Sequence, residues 1–133
     1  MKKILIAALF AIFALSSCTP KTDKAAATAS DFLTAFFAMD MNRAAEFCSD
    51  DIAAMLRDTI DVAEYPNEDV YQKVVEASKQ TTFKILSSEQ IEETGEVVVK
   101  YEIQPYGAPK GATIARTMRL VRENGAWKIV ALE

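Results

Sequence analysis

Apolar residues at intervals of three and four predict a long first helix. The interval holds from about Ala25 to Met39, and a stripe of this width is typical of an amphipathic helix that packs on another element. The stripe is formed by Ala29, Phe32, Leu33, Phe36 and Phe37.

Three shorter helices are predicted after it. Asp40 is a suitable N-cap for a helix over residues 41–48, and Asn67 is a suitable N-cap for the last helix. Between them Ser49 opens a third helix, where two aspartates complement the positive end of the helix dipole. We favour this capping role for the aspartates over a metal or catalytic pair. The stripes of the last two helices are formed by Ile52, Met55, Leu56 and Ile60, and by Val70, Tyr71, Val74 and Val75.

After Gln80 the apolar period changes to two, which predicts strands. The apolar positions of the first two strands are Phe83 and Ile85, then Val97, Val99, Tyr101 and Ile103. In the third strand, the residues of one parity are Ile114, Arg116, Met118 and Leu120. Asn124 and Gly125 predict a tight hairpin into the last strand, where Trp127 and Ile129 share a face.

The order of these elements predicts the fold class. Helices come first and four sequential strands come after, which favours an α+β domain with the N-terminal helices packed on one face of a curved four-stranded antiparallel sheet.

The chain begins with an apolar run of a different kind. Lys2 and Lys3 precede twelve uninterrupted apolar residues, Ile4 to Leu15. This run is too short to span a bilayer, which takes about 20 residues, and it has no polar face. It has the form of an export signal over residues 1–17.

The tetrad Leu15, Ser16, Ser17 and Cys18 resembles the lipobox of bacterial lipoproteins. The resemblance implies cleavage before Cys18 and attachment of lipid to its thiol, hence a membrane anchor, with simple secretion as the alternative. Small and polar residues follow, so that 18–26 is interpreted as lipidated cysteine and tether and 27–133 as the domain. Thr19 and the lack of an acidic cluster after the cysteine favour a periplasm-facing outer-membrane lipoprotein.

Charge and cysteine content exclude several classes of function. Without Lys2 and Lys3, thirteen basic side chains remain against nineteen acidic ones, a net charge of about −6, so we expect no nucleic-acid partner. If Cys18 carries lipid, Cys48 is the remaining thiol, and we interpret it as a buried apolar residue rather than a nucleophile. The chain has no histidine, and we expect neither a metal nor a cofactor.

Two segments together resemble a known superfamily. They are "MDMNRAAEFCSDD" after the first helix and "LVRENGAWKIVALE" at the end, which contains a Gly-x-Trp-Lys-Ile stretch over 125–129. The chain resembles small bacterial lipoproteins of unassigned function with a nuclear transport factor 2-like, or cystatin-like, domain. The resemblance implies a cone with an open mouth, which serves catalysis in some relatives and binding in others, and it implies a possible homodimer through the sheet.

We therefore expect a non-catalytic domain that binds a small apolar ligand or a protein partner in the cone. The candidate ligand-binding residues are Phe36, Tyr65, Tyr71, Tyr101, Arg116 and Trp127. The alternative is a small enzyme of isomerase or hydrolase type that uses an Asp/Tyr or Asp/Arg site, because an apolar cavity raises the pKa of a carboxyl group. That alternative requires Asp58, Asp61 or Glu64 to close over the mouth, and no residue is assigned as catalytic.

Overall fold

The computed structural model describes residues 20–62 and 67–133, with side chains for 22–58 and 67–133. The helices are α1 (Pro20–Phe37), α2 (Met41–Glu46), α3 (Asp50–Val62) and α4 (Glu68–Gln80). The strands are β1 (Thr82–Gln90), β2 (Val97–Gln104), β3 (Ile114–Glu123) and β4 (Ala126–Leu132). The predicted order, helices followed by a four-stranded antiparallel sheet, is confirmed.

Helix α1 begins earlier than the apolar stripe predicted. It starts at Pro20 and Ala25 is fully buried, so residues 20–26 are helical where the small, polar composition indicated a tether. Proline is well suited to the first position of a helix, and the alanines that follow have the highest helix propensity.

The end of α1 turns the chain sharply into α2. Met39 adopts a positive φ of 61°, its N–H donates to Phe36 O, and the N–H of Asp40 donates to Ala35 O. This is the hydrogen-bond pattern of a Schellman motif. The carboxylate of Asp40 then accepts from the N–H of Arg43 at 3.2 Å, so the predicted N-cap of α2 is confirmed.

The four strands pair in sequence order as an antiparallel meander. Asn124 and Gly125 have φ values of 51° and 82°, the two positive φ values of a type I′ hairpin, as predicted. The outer edge of β4 is covered, because Ile129 donates to Phe47 O and accepts from the N–H of Ser49. The Lys128 ammonium also donates to Glu46 O at 2.6 Å.

The core lies between α1 and one face of the sheet. The predicted parity of β2 and β3 is confirmed, since the buried strand residues are Val97, Val99, Tyr101, Met118, Leu120, Trp127 and Ile129. They pack with a helix face that includes Ala29, Phe32 and Leu33. Within the described residues this core runs from Ala25 to Ile129, so we expect residues 19–133 to fold on their own.

Two predicted helix stripes are only partly buried. In α3 Met55 is 62% exposed, while Ala53 and Leu56 are buried, because the contact with α2 and β4 covers one narrow side of the helix. In α4 no described residue is buried, and Val70 and Tyr71 are exposed. The Asn67 N-cap of α4 is nevertheless confirmed by a 3.0 Å bond from the N–H of Val70.

Replacing Trp127 with Ala tests the position of this side chain in the core. Its ring is 8% exposed, so we expect a loss of about 3–5 kcal/mol in the free energy of unfolding. Chemical denaturation of residues 19–133 measures the change. The matched control is Tyr106→Ala, at an aromatic residue that is 57% exposed, with an expected change within about 0.5 kcal/mol. A Trp127→Ala loss below about 1 kcal/mol would contradict the core position.

Candidate functional site

A cleft opens between the C-terminal half of α1 and the sheet, beside the end of β2 and the start of β3. Its volume is about 270 Å³ and it opens to solvent. It is lined by Phe32, Leu33, Phe36, Phe37, Tyr101, Ile103, Arg116, Leu132 and Glu133. We name it the α1–sheet cleft.

Aromatic rings of α1 form its helical wall. Phe32 and Phe36 lie one turn apart with ring centroids 5.8 Å apart, and Phe36 meets Phe37 edge-on at 5.4 Å. Phe37 stacks on Phe83 of β1 at 6.2 Å. The rings hold one another in fixed orientations, because tilted and edge-on aromatic pairs are favoured. The wall is therefore both apolar and pre-formed.

Tyr101 and Arg116 supply the polar groups on the sheet side of the cleft. They are directly opposed in the β2–β3 register, so both project from the face that packs against α1. Tyr101 is only 6% exposed, whereas Arg116 is exposed and its Nη1 donates to Ala115 O at 3.1 Å. Burial raises the pKa of the Tyr101 hydroxyl, and the positive charge of Arg116 partly offsets this.

Glu133 is the acidic residue of the lining, and its carboxylate is already bound. It accepts from Arg119 Nε at 3.2 Å and from Thr117 Oγ1 at 3.4 Å. Arg119 also binds Glu96 at 3.2 Å. Among the described residues no such carboxylate pairs with Arg116.

The structure brings together three of the six residues predicted to bind a ligand. Phe36, Tyr101 and Arg116 line the α1–sheet cleft. Trp127 does not line the cleft, because it is buried in the core. It pairs with Arg122, which follows Leu120 along β3. Tyr71 lies exposed on α4, outside the lining.

Tyr65 lies outside the described residues, as does the predicted lipidation site Cys18. Of the three acids that the enzymatic alternative requires, Asp61 and Glu64 have no described side chain, and Asp58 is exposed on α3 and does not line the cleft.

The sequence pattern did not identify Leu132 as a cleft residue, because the last strand contains an irregularity. The register shifts between Arg119 and Leu120, so that Ile129 opposes Leu120 and Leu132 opposes Met118. The bulge leaves Val130 unpaired and turns Leu132 toward the cleft. Ile103, in contrast, has the same parity as Tyr101 in β2, and this alternation could have identified it as a cleft residue.

Two other hollows are less suited to an apolar ligand. One, of about 310 Å³, is lined by Leu86, Lys100, Ala115 and Thr117, and it shares Tyr101, Arg116 and Glu133 with the α1–sheet cleft. The other, of about 360 Å³, lies between α4 and the loop after β2, where most of the lining residues are polar. The α1–sheet cleft is the smallest of the three, but it alone among them is walled by a cluster of aromatic side chains.

Cys48 lies in the core rather than in the cleft. Its thiol donates to Ala44 O at 3.4 Å, and burial raises its pKa to about 11 although the charge of Lys128 acts in the opposite direction. The thiol is therefore neutral near pH 7, which agrees with the interpretation of Cys48 as a buried apolar residue.

Searches of the described ranges and of known proteins give no further assignment. Across residues 20–62 and 67–133, no group of acidic, cysteine or histidine side chains could hold a metal ion. No helix in those ranges is long and apolar enough to cross a membrane. The chain matches no protein-family model and no curated protein.

Replacing Arg116 with Gln tests the electrostatic coupling across the cleft. The Arg116 charge lowers the pKa of Tyr101 against the larger effect of burial, so we expect the Tyr101 pKa to rise further in the variant. Titration of the tyrosine resonances by NMR measures it. The matched control is Arg122→Gln, which removes the same charge from the same strand beside Trp127 and should leave the Tyr101 pKa unchanged. An unchanged pKa in Arg116→Gln would contradict the coupling.

Proposed function

We propose that this protein is a lipid-anchored cell-envelope protein whose domain binds a small ligand in the α1–sheet cleft without catalysing a reaction. The observation that carries the proposal is the cleft itself, a pre-formed apolar wall with a tyrosine and an arginine opposite it. Ligand sites typically combine mainly apolar walls with a few convergent polar groups.

The nuclear transport factor 2-like, or cystatin-like, cone is part of this proposal. A four-stranded antiparallel sheet with helices on one face is consistent with it, and we propose the α1–sheet cleft as the mouth of that cone. The resemblance of the two sequence segments supports the same assignment.

Binding is favoured over the enzymatic alternative by the state of Glu133. A general base needs a carboxylate that is available to the substrate, and both oxygens of Glu133 accept hydrogen bonds from Arg119 and Thr117. The acids Asp61 and Glu64 would have to supply the missing carboxylate from outside the described side chains.

Lipid on Cys18 is the proposed anchor, and it places the protein at the outer membrane facing the periplasm. The lipobox-like tetrad at residues 15–18 supports the anchor, and Thr19 with the lack of an acidic cluster after Cys18 supports this location. Because α1 begins at Pro20, the proposed lipid would sit within a few residues of the folded domain.

Incorporation of labelled palmitate in a bacterial host tests the anchor. We expect the full chain to incorporate label and Cys18→Ser to incorporate none, because the proposed lipid is attached at that thiol. The matched control is Cys48→Ser, which removes the buried thiol and should keep the label. Label retained by Cys18→Ser, with fractionation to the membrane undiminished, would contradict the anchor.

Native mass spectrometry of residues 19–133, purified without denaturant from a bacterial periplasm, tests ligand binding. We expect an added mass that disappears on unfolding. Leu132→Trp should remove it, because Leu132 is 41% exposed in the cleft and a larger ring would fill the space. The control is Leu86→Trp, at a leucine that is 49% exposed in the neighbouring hollow and does not line the cleft.

The masses of the variants decide between the outcomes. An added mass lost from Leu86→Trp and kept by Leu132→Trp would move the site to the neighbouring hollow that Leu86 lines. If every sample shows only the mass of the chain itself, the result would contradict ligand binding and favour a protein partner. A dimer peak would identify a second copy of the chain as that partner.

A further inference from the structure

Among the described residues, no carboxylate forms an ion pair with Arg116. Arg116 is exposed where the α1–sheet cleft meets the neighbouring hollow of 310 Å³, and within the described ranges it donates to the backbone oxygen of Ala115 alone. Arg119 lies three residues along the same strand and faces the other side of the sheet, where it binds two carboxylates at 3.2 Å. The donors of Arg116 are therefore available to a bound molecule.

The described residues that line the cleft with Arg116 supply no free negative charge. Tyr101, its cross-strand neighbour, has a hydroxyl that stays neutral because burial raises its pKa. Glu133 reaches the cleft lining, but its carboxylate oxygens are held by Arg119 and Thr117. Phe36, Ile103 and Leu132 add apolar surface.

We infer that the ligand of the α1–sheet cleft is amphipathic, with an anionic head group that binds Arg116 and an apolar body that packs against Phe36 and Leu132. This inference rests on the proposed ligand-binding function and specifies its ligand class. A carboxylate suits the planar fork of a guanidinium, which donates two parallel hydrogen bonds. A cationic head group would be repelled by the same charge.

The cleft opens to solvent, so its volume indicates how much of an apolar body it can enclose and does not limit the length of the whole ligand. The space of 270 Å³ equals about nine water molecules at roughly 30 Å³ each. A chain of that size resembles an octanoyl group more than a full membrane acyl chain. Octanoate, octanol and octylamine are therefore suitable probes, because they share the same apolar chain and differ only in the head group.

Calorimetric titration of residues 19–133 with the three probes at pH 7 tests the inference. We expect octanoate to bind about tenfold more tightly than octanol, as for a charge-assisted pair that solvent partly screens, and octylamine to bind most weakly. In Arg116→Gln, octanoate and octanol should bind equally. Arg116→Lys should keep part of the preference, since it retains the charge and loses the planar fork.

Arg122→Gln is the matched control, because it removes one positive charge from the same face of β3 beside Trp127. It should leave the preference for octanoate unchanged, and high salt should reduce that preference in the wild-type chain. NMR shifts at Ile103 and Leu132 locate the bound probe.

The outcomes separate the two proposals. Two results would overturn the anionic head group without contradicting the binding site. In the first, octanol and octanoate bind equally in the cleft of the wild-type chain. In the second, Arg122→Gln removes the preference for octanoate as fully as Arg116→Gln does. No shift at the cleft with any of the three probes would contradict the proposed ligand site together with the inference.

Discussion

The packing of α1 against one face of the sheet is the contact on which the rest of the described structure depends. Helix α1 contacts β1, β2 and β4, and its residues Ala29, Phe32 and Leu33 are buried against the strands. Met118, Leu120 and Ile129 are fully buried in the same core. Each such side chain stabilises the fold by roughly 1.5–3 kcal/mol relative to exposure. Helix α4, which lacks a comparable face, has no buried residue.

The cleft follows from where this packing ends. Helix α1 ends at Phe37 because Met39 takes up a left-handed conformation and the chain turns into α2. Strands β2 and β3 continue to Ile103 and Ile114, and Ile114 is 40% exposed. The sheet therefore extends beyond the helical cover, so that Arg116 is exposed to solvent while Tyr101, its partner on β2, stays buried.

Local sequence signals predicted the parts of this arrangement that depend on neighbouring residues. The Asn124–Gly125 turn, the Asp40 cap and the alternation that places Arg116 on the inner face were all readable, because each depends on turn geometry, a capping bond or a period of two. The exposure of Met55 was not readable, since it depends on which side of α3 meets other elements. The bulge that moves Leu132 toward the cleft depends on pairing with β3, and no residue of β4 indicates it in the sequence.

The same alternation explains why one strand carries two arginines with different electrostatic surroundings. Arg116 and Arg119 differ by an odd number of positions, so they project from opposite faces of β3. Arg119 joins Glu96 before β2 to Glu133 after β4, and thus links three neighbouring strands on the outer face.

These partly exposed ion pairs contribute little stability, about 0–1 kcal/mol each, but they agree with the register that burial of Val99 and Met118 already requires. A slip of one residue would exchange the two faces, exposing the core and turning Arg119 inward. The cost of that exchange keeps Arg116, which pairs with no carboxylate among the described residues, at the edge of the core, because Met118 and Leu120 project from the same face of β3.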